Sequence, residues 1–331
     1  MLIIVPTTSL VEQLYKDFYE YGFDVENEVH RIYSGKDKIT DKRIIISTWQ
    51  SIYRLKFDWF EQFGAVFGDE VHLFKAKSLT GVMNKCKNAE YRFGTTGTLD
   101  GTETNKLVLE GLFGLTHKVI ATKDLQVRGT LAGLDINVIL LRYHNDVCHL
   151  LKGKTYAEEV DYIVRHEKRN NFIKNLTLDL KGNTLVLYNY VEKHGKPLYE
   201  NIKQYSDDKE RKIFFVSGNT PANDREAIRM IVEKQKNAII VASLGTFSTG
   251  INIRNLHNIV FASPSKSQIR VLQSIGRGLR KTDDGKDTTL YDIVDDISWK
   301  SRKNYGILHA DERLRIYGRE KFMHKTYKVQ L

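Results

Sequence analysis

Two cysteines in 331 residues leave little room for disulfide or thiolate-metal chemistry. Cys86 and Cys148 alone make neither a disulfide framework nor a ligand cluster, and the scarcity fits a reduced, intracellular setting. No apolar run approaches the ~18–20 residues that span a bilayer, so neither a membrane-crossing helix nor a membrane partner is expected. The opening Met1-Leu2-Ile3-Ile4-Val5-Pro6 has no basic lead and reads as a buried strand, not a signal peptide. Internal repeats and low-complexity tracts are missing as well. So is any GxxxxGK[ST] segment, the loop whose amides and lysine cradle nucleotide phosphates.

What is present belongs to a globular chain long enough for two domains, with 41% hydrophobic and 28% charged residues. The net charge of +10 is unevenly spread. Residues 1–125 hold 16 Lys+Arg against 17 Asp+Glu, so the whole excess lies in the remainder. A basic second half suits a polyanion, nucleic acid above all; the plainer reading is charge kept for solubility.

Short apolar runs at 2–5, 44–47, 65–68, 91–94, 184–188, 212–216, 238–242 and 258–262 predict strands. Several are unbroken, as parallel strands covered on both faces require. Helical patterns fall between them at 10–21, 196–204, 221–235 and 266–280. This alternation predicts an α/β fold of mostly parallel sheets, with ligands at the strands' carboxyl ends. The rhythm weakens between 118 and 175, where 136–143 reads as a strand and 156–180 as one or two helices. A domain boundary is placed near 125, giving domains 1–125 and 126–331, with a basic helical extension over 298–331.

Gly68-Asp69-Glu70-Val71-His72 puts two carboxylates just beyond a buried strand. One can hold Mg²⁺ while its neighbour polarises a water; alone, such a pair more often starts a helix. Thr95-Thr96-Gly97-Thr98 follows the next strand and can relay hydrogen bonds. In Gln273-Ser274-Ile275-Gly276-Arg277-Gly278-Leu279-Arg280, helical spacing aligns Gln273, Arg277 and Arg280 on one face, where guanidinium forks match phosphate oxygens. Hydroxyl-rich turns after other strands, Pro6-Thr7-Thr8, Ser47-Thr48-Trp49-Gln50 and Thr246-Phe247-Ser248-Thr249-Gly250-Ile251-Asn252, are ordinary helix caps one by one. Their recurrence suggests a track for a phosphate backbone. Gly153-Lys154-Thr155 mimics the end of a phosphate loop, but Cys148 stands where its first glycine should be, so a helix start is predicted.

In this order the segments resemble the motifs of superfamily 2 DExH-box helicases, most nearly those phage helicases that serve recombination and stalled-fork rescue. The resemblance spans nearly the whole chain: Thr7-Thr8 for motif Ia, Thr48-Gln50 for the next strand-contacting element, Asp69–His72 for motif II, Thr96-Gly97-Thr98 for motif III, and 185–188, 246–252 and 273–280 for motifs IV, V and VI. It implies two RecA-like domains with ATP and Mg²⁺ in a cleft between them, and DNA or RNA–DNA hybrids as partners. It further implies that Asp69 holds Mg²⁺, Glu70 activates water, Gln273 senses the γ-phosphate, and Arg277 and Arg280 are arginine fingers. His72, Gly250 and Asn252 would meet the nucleotide; Thr7, Thr8, Thr48, Gln50, Thr246 and Ser248 would meet the nucleic acid. The setting implied is a cytoplasm, that of the host cell for a phage protein.

The departure is the missing phosphate loop with its lysine. The resemblance then implies a first domain truncated at its start, with the loop on a separate chain or lost. Its strand would belong beside the acidic-box strand, leaving the first sheet without a central member and the chain prone to aggregate. Two other readings stand: a nucleic-acid-binding remnant without turnover, and a restriction-type motor subunit, which no nuclease carboxylate–lysine cluster recommends.

Overall fold

The computed structural model describes residues 1–71, 77–96, 103–117, 133–248, 253, 255–264, 285, 287–319 and 321–331. The chain forms two compact units, Met1–Val119 and Ile120–Leu331.

In unit 1 the described residues form a five-stranded parallel sheet made of β1 (Leu2–Val5), β2 (Val29–Ile32), β3 (Ile44–Thr48), β4 (Ala65–Gly68) and β5 (Tyr91–Gly94), in the order β2-β3-β1-β4-β5. Side chains alternate across each strand, so one apolar run serves two cores. Leu2 and Ile4 join Ile45, Phe60, Val66 and Met83 on one face; Ile3 and Val5 join Val11, Val29 and Ile46 on the other. The sheet corrects one expectation: β4 is hydrogen-bonded to β1 on one side and β5 on the other, so no gap lies beside the acidic-box strand. The open edge is β5 itself, where Tyr91 and Phe93 are more than half exposed.

In unit 2 the described residues form seven parallel strands: β6 (Leu134–Arg142), β7 (Thr184–Tyr188), β8 (Ile213–Val216), β9 (Ile239–Ser243), β10 (Asn258–Phe261), β11 (Thr288–Asp296) and β12 (His324–Gln330), in the order β12-β6-β11-β10-β7-β9-β8. Leu185 and Leu187 face one core, Val186 and Tyr188 the other. The segment 156–180 is two helices, Tyr156–Arg165 and Glu167–Asp179, parted where His166 turns extended. The helical extension is a helix, Tyr305–Arg319, followed by a strand, since β12 adds to β6 as an exposed, lysine-bearing edge.

Three polar networks lock this unit. Arg169 donates through Nε and Nη2 to Asp295 at 2.7 and 3.0 Å, and Tyr143 donates to the same carboxylate at 2.8 Å. Arg313 and Tyr317 do the same for Asp292 at 2.7–2.9 Å. Buried Glu159 accepts from Asn304 Nδ2 and from the amides of Tyr305 and Gly306.

His194 is fully buried, with Nδ1 2.9 Å from Ser263 Oγ and Nε2 unpartnered among the described residues. Burial, helped by the nearby Arg169 charge, pushes its pKa down to about 3. The unfolded imidazole protonates near its usual ~6.5, so acid favours unfolding between those values. Stability should fall by up to about 1.4 kcal/mol per pH unit below pH ~6.5 through this residue alone. Urea denaturation at pH 7 and 5.5 tests this: the wild type should lose about 1.2 kcal/mol more than His194→Gln over that step. Equal losses would place water or a proton acceptor at Nε2.

Candidate functional site

The candidate segments of unit 1 start at one end of its sheet, because the strands they follow are parallel. In-register pairing of Val5 with Thr48 sets the turns after β1 and β3 side by side, and Gln50 Nε2 reaches Pro6 O at 3.4 Å. Thr7 caps the helix Thr8–Glu20, its hydroxyl accepting from Leu10 N, while Thr8 is exposed. Thr48 is buried, with its Oγ1 2.9 Å from Ser51 Oγ.

The acidic box is held by its neighbours on both sides. Asp69 N donates to Ile4 O, Thr95 N to Gly68 O, and Val71 N to Thr95 O. Asp69 Oδ1 then accepts from Glu70 N and from the Thr95 hydroxyl, both at 2.9 Å. Glu70 sits at φ 51, a left-handed conformation that costs a non-glycine residue about 1–3 kcal/mol and that gathers at functional sites. Gly94 makes the crossing possible, since a Cβ there would meet Val71 at 2.9 Å and Phe113 at 3.0 Å. Thr95 was singled out in the sequence only as part of a hydroxyl-rich relay after β5, without Asp69 as its partner. Its signal was present, a hydroxyl in the first position after β5, but only the β4–β5 register puts it on Asp69.

Asp69 Oδ2 has no partner among the described residues, and no group of three or more metal-ligating side chains occurs among them. One hard carboxylate oxygen suits Mg²⁺, which usually takes one or two protein carboxylates and completes its shell with phosphate oxygens and water.

In unit 2, Thr246 lies buried in the short helix Leu244–Ser248 after β9, with its hydroxyl 2.6 Å from Ser243 Oγ. Ser248 ends that helix. Thr155 caps the helix Tyr156–Arg165 in a reciprocal capping box with Glu158, and Lys154 pairs with that glutamate, so Gly153-Lys154-Thr155 is a helix start. His72, Gly250, Asn252, Gln273, Arg277 and Arg280, with Gly97 and Thr98, lie outside the described residues.

A family model described as the res subunit of type III restriction enzymes matches residues 1–101, and the helicase conserved C-terminal domain matches residues 167–282. The chain is 35% identical to the ATP-dependent DNA helicase UvsW of Enterobacteria phage T4, over its whole length and 68% of that protein. It is also similar to the crystal structure of T4 UvsW, with a TM-score of 0.53 at 34% identity, over 99% of this chain and 67% of that one. S. cerevisiae Dbp5, solved with RNA and ADP BeF3, shares the fold at a TM-score of 0.64 and 12% identity, over 99% of this chain and 77% of its own.

Proposed function

The chain belongs to the superfamily 2 helicases, in the family of T4 UvsW, and from that premise we propose that it is an ATP-driven motor that remodels branched recombination and replication intermediates or RNA–DNA hybrids. The observation that carries the reading is the Asp69–Thr95 hydrogen bond beside a strained Glu70. It orients one carboxylate and leaves its second oxygen without a partner among the described residues, while holding the next residue in a conformation that a mere helix start would not need.

In this reading Asp69 offers Oδ2 to Mg²⁺, which when bound would neutralise charge on the nucleotide phosphates. Glu70 polarises the attacking water. His72, Gly250 and Asn252 contact the nucleotide, Gln273 senses its γ-phosphate, and Arg277 and Arg280 stabilise the charge that develops on transfer. The turns carrying Thr7, Thr8, Thr48, Gln50, Thr246 and Ser248 track the nucleic-acid backbone. With Thr7, Thr48 and Thr246 engaged in local hydrogen bonds, their turns' amides and the exposed Thr8 and Gln50 are the first contacts to expect. The site of action is a cytoplasm. Among the described residues no helix is long and apolar enough to cross a membrane.

These 331 residues hold no GxxxxGK[ST] loop, so turnover requires a phosphate cradle from elsewhere. The purified chain should hydrolyse ATP negligibly, and adding a segment that carries the loop should produce DNA-stimulated hydrolysis that Glu70→Gln abolishes. Robust turnover by the chain alone, lost in Glu70→Gln, would overturn the need for the added loop. Salt-dependent DNA binding with no hydrolysis in either case would favour the nucleic-acid-binding remnant.

A further inference from the structure

Two loops of unit 2 outside every helicase motif meet at the carboxyl ends of β6 and β11. One spans 151–155 and the other 297–304, and they enclose a cleft of about 170 Å³. Its floor is apolar, from half-buried Leu151, buried Ile297 and half-buried Trp299. Its rim is basic, from Lys152, Lys154, Arg302 and Lys303.

The cleft is built rigidly. Trp299 and Arg302 exchange backbone hydrogen bonds at 3.0 and 3.1 Å across a tight turn, with Lys300 at φ 53. Buried Glu159 pins the following residues through Asn304, Tyr305 and Gly306. Gly153, at φ +82, lets Arg302 approach: a Cβ there would stand 3.3 Å from Arg302 Nη1. The Trp299 ring is braced edge-on by His149 at 5.0 Å, and Tyr305 by Tyr156 at 5.6 Å.

The charges are not all balanced. Lys154 pairs with Glu158 and Lys303 with Asp311. Lys152 and Arg302 have no ion-pair partner among the described residues, although both flank the aromatic floor. Two uncommitted cations beside braced rings fit a chain that alternates negative charge with flat apolar surface.

We propose that this cleft is a second contact for single-stranded nucleic acid, in which Lys152 and Arg302 neutralise two phosphates and a base stacks against Trp299 or Tyr305. Such pairing of cations with aromatic platforms binds single strands with little regard to sequence. The proposal rests on nucleic-acid binding by the chain, and it adds a site to that reading without using any residue of it.

The test is fluorescence anisotropy of the full chain with labelled oligothymidylate across a salt series, with Lys152→Gln/Arg302→Gln compared at equal circular dichroism. Each phosphate contact on a single strand contributes about 0.7 to the salt slope. The double variant should lose about 1.4 of slope and bind about 20-fold more weakly at 0.1 M salt. Iodouracil-substituted oligonucleotide should photocrosslink to Trp299 or Tyr305 in the unaltered chain. Normal slope and affinity in the variant, with no adduct in either loop, overturn the second contact and leave the proposed function intact. No oligonucleotide binding by the unaltered chain overturns both. Loss of phosphate or mononucleotide binding with unchanged oligonucleotide binding makes the cleft a small-anion pocket and overturns the proposal too.

Discussion

Replacing Arg277 with alanine should lower DNA-stimulated ATP hydrolysis by about 10³–10⁵-fold, measured with a phosphate-binding loop supplied, while DNA affinity stays unchanged. The reason is where the charge goes. As the phosphoryl group transfers, negative charge spreads over its equatorial oxygens, and a planar guanidinium meets them with two parallel hydrogen bonds. Losing that contact raises the barrier by about 4–7 kcal/mol without affecting contacts to the nucleic acid. Arg277→Lys should restore little, since an ammonium offers a point charge in place of a fork. A fall below about tenfold would remove Arg277 from the finger role and leave Arg280 as the candidate.

Asp295→Ala should destabilise unit 2 by about 3–5 kcal/mol in urea denaturation, a large share of a domain's usual stability. Asp295 and Arg169 are both fully buried, and removing the carboxylate strands a guanidinium charge that keeps, among the described residues, the neutral Ala262 carbonyl at 2.8 Å and the Tyr143 hydroxyl but no counter-charge. Tyr143 loses its acceptor in the same step. Burial and the adjacent carboxylate hold the Tyr143 hydroxyl well above the usual phenol range, so it remains a donor at any working pH. Tyr143→Phe removes one hydrogen bond to a charged group and should cost less, about 1.5–3 kcal/mol. A loss below about 1 kcal/mol in Asp295→Ala would mean that water reaches Arg169 once the carboxylate is gone.

The same aspartate shows why part of the fold was hidden from sequence reading. Thr288–Asp296 carries Asp292, Asp295 and Asp296, a composition that disfavours a strand, yet it lies between β6 and β10. Its charges are tolerated because Arg169 and Arg313 arrive from helices outside the strand to neutralise two of them. Nothing within nine residues announces those partners. His324–Gln330 was hidden for the opposite reason, being almost wholly exposed and holding its place through backbone pairing with β6.

At the acidic box, Asp69-Glu70 was legible as a pair of carboxylates after a buried strand. The hydroxyl that orients Asp69 was not, because Thr95 lies 26 residues away and reaches it only through β4–β5 pairing. The left-handed turn at Glu70 was equally hidden, since a glycine is what normally signals one.

The sequence by itself determined the alternation of strands and helices and the parallel sheets, because unbroken apolar runs between amphipathic ones admit few other burials; the family was legible only through the resemblance of its ordered motif residues. Tertiary structure alone decided which distant groups meet: Thr95 with Asp69, Arg169 with Asp295, and the two basic loops around Trp299. Local pattern sets how much surface an element must bury. Which side chains that burial brings together depends on register and strand order, and those are settled only when the whole sheet forms.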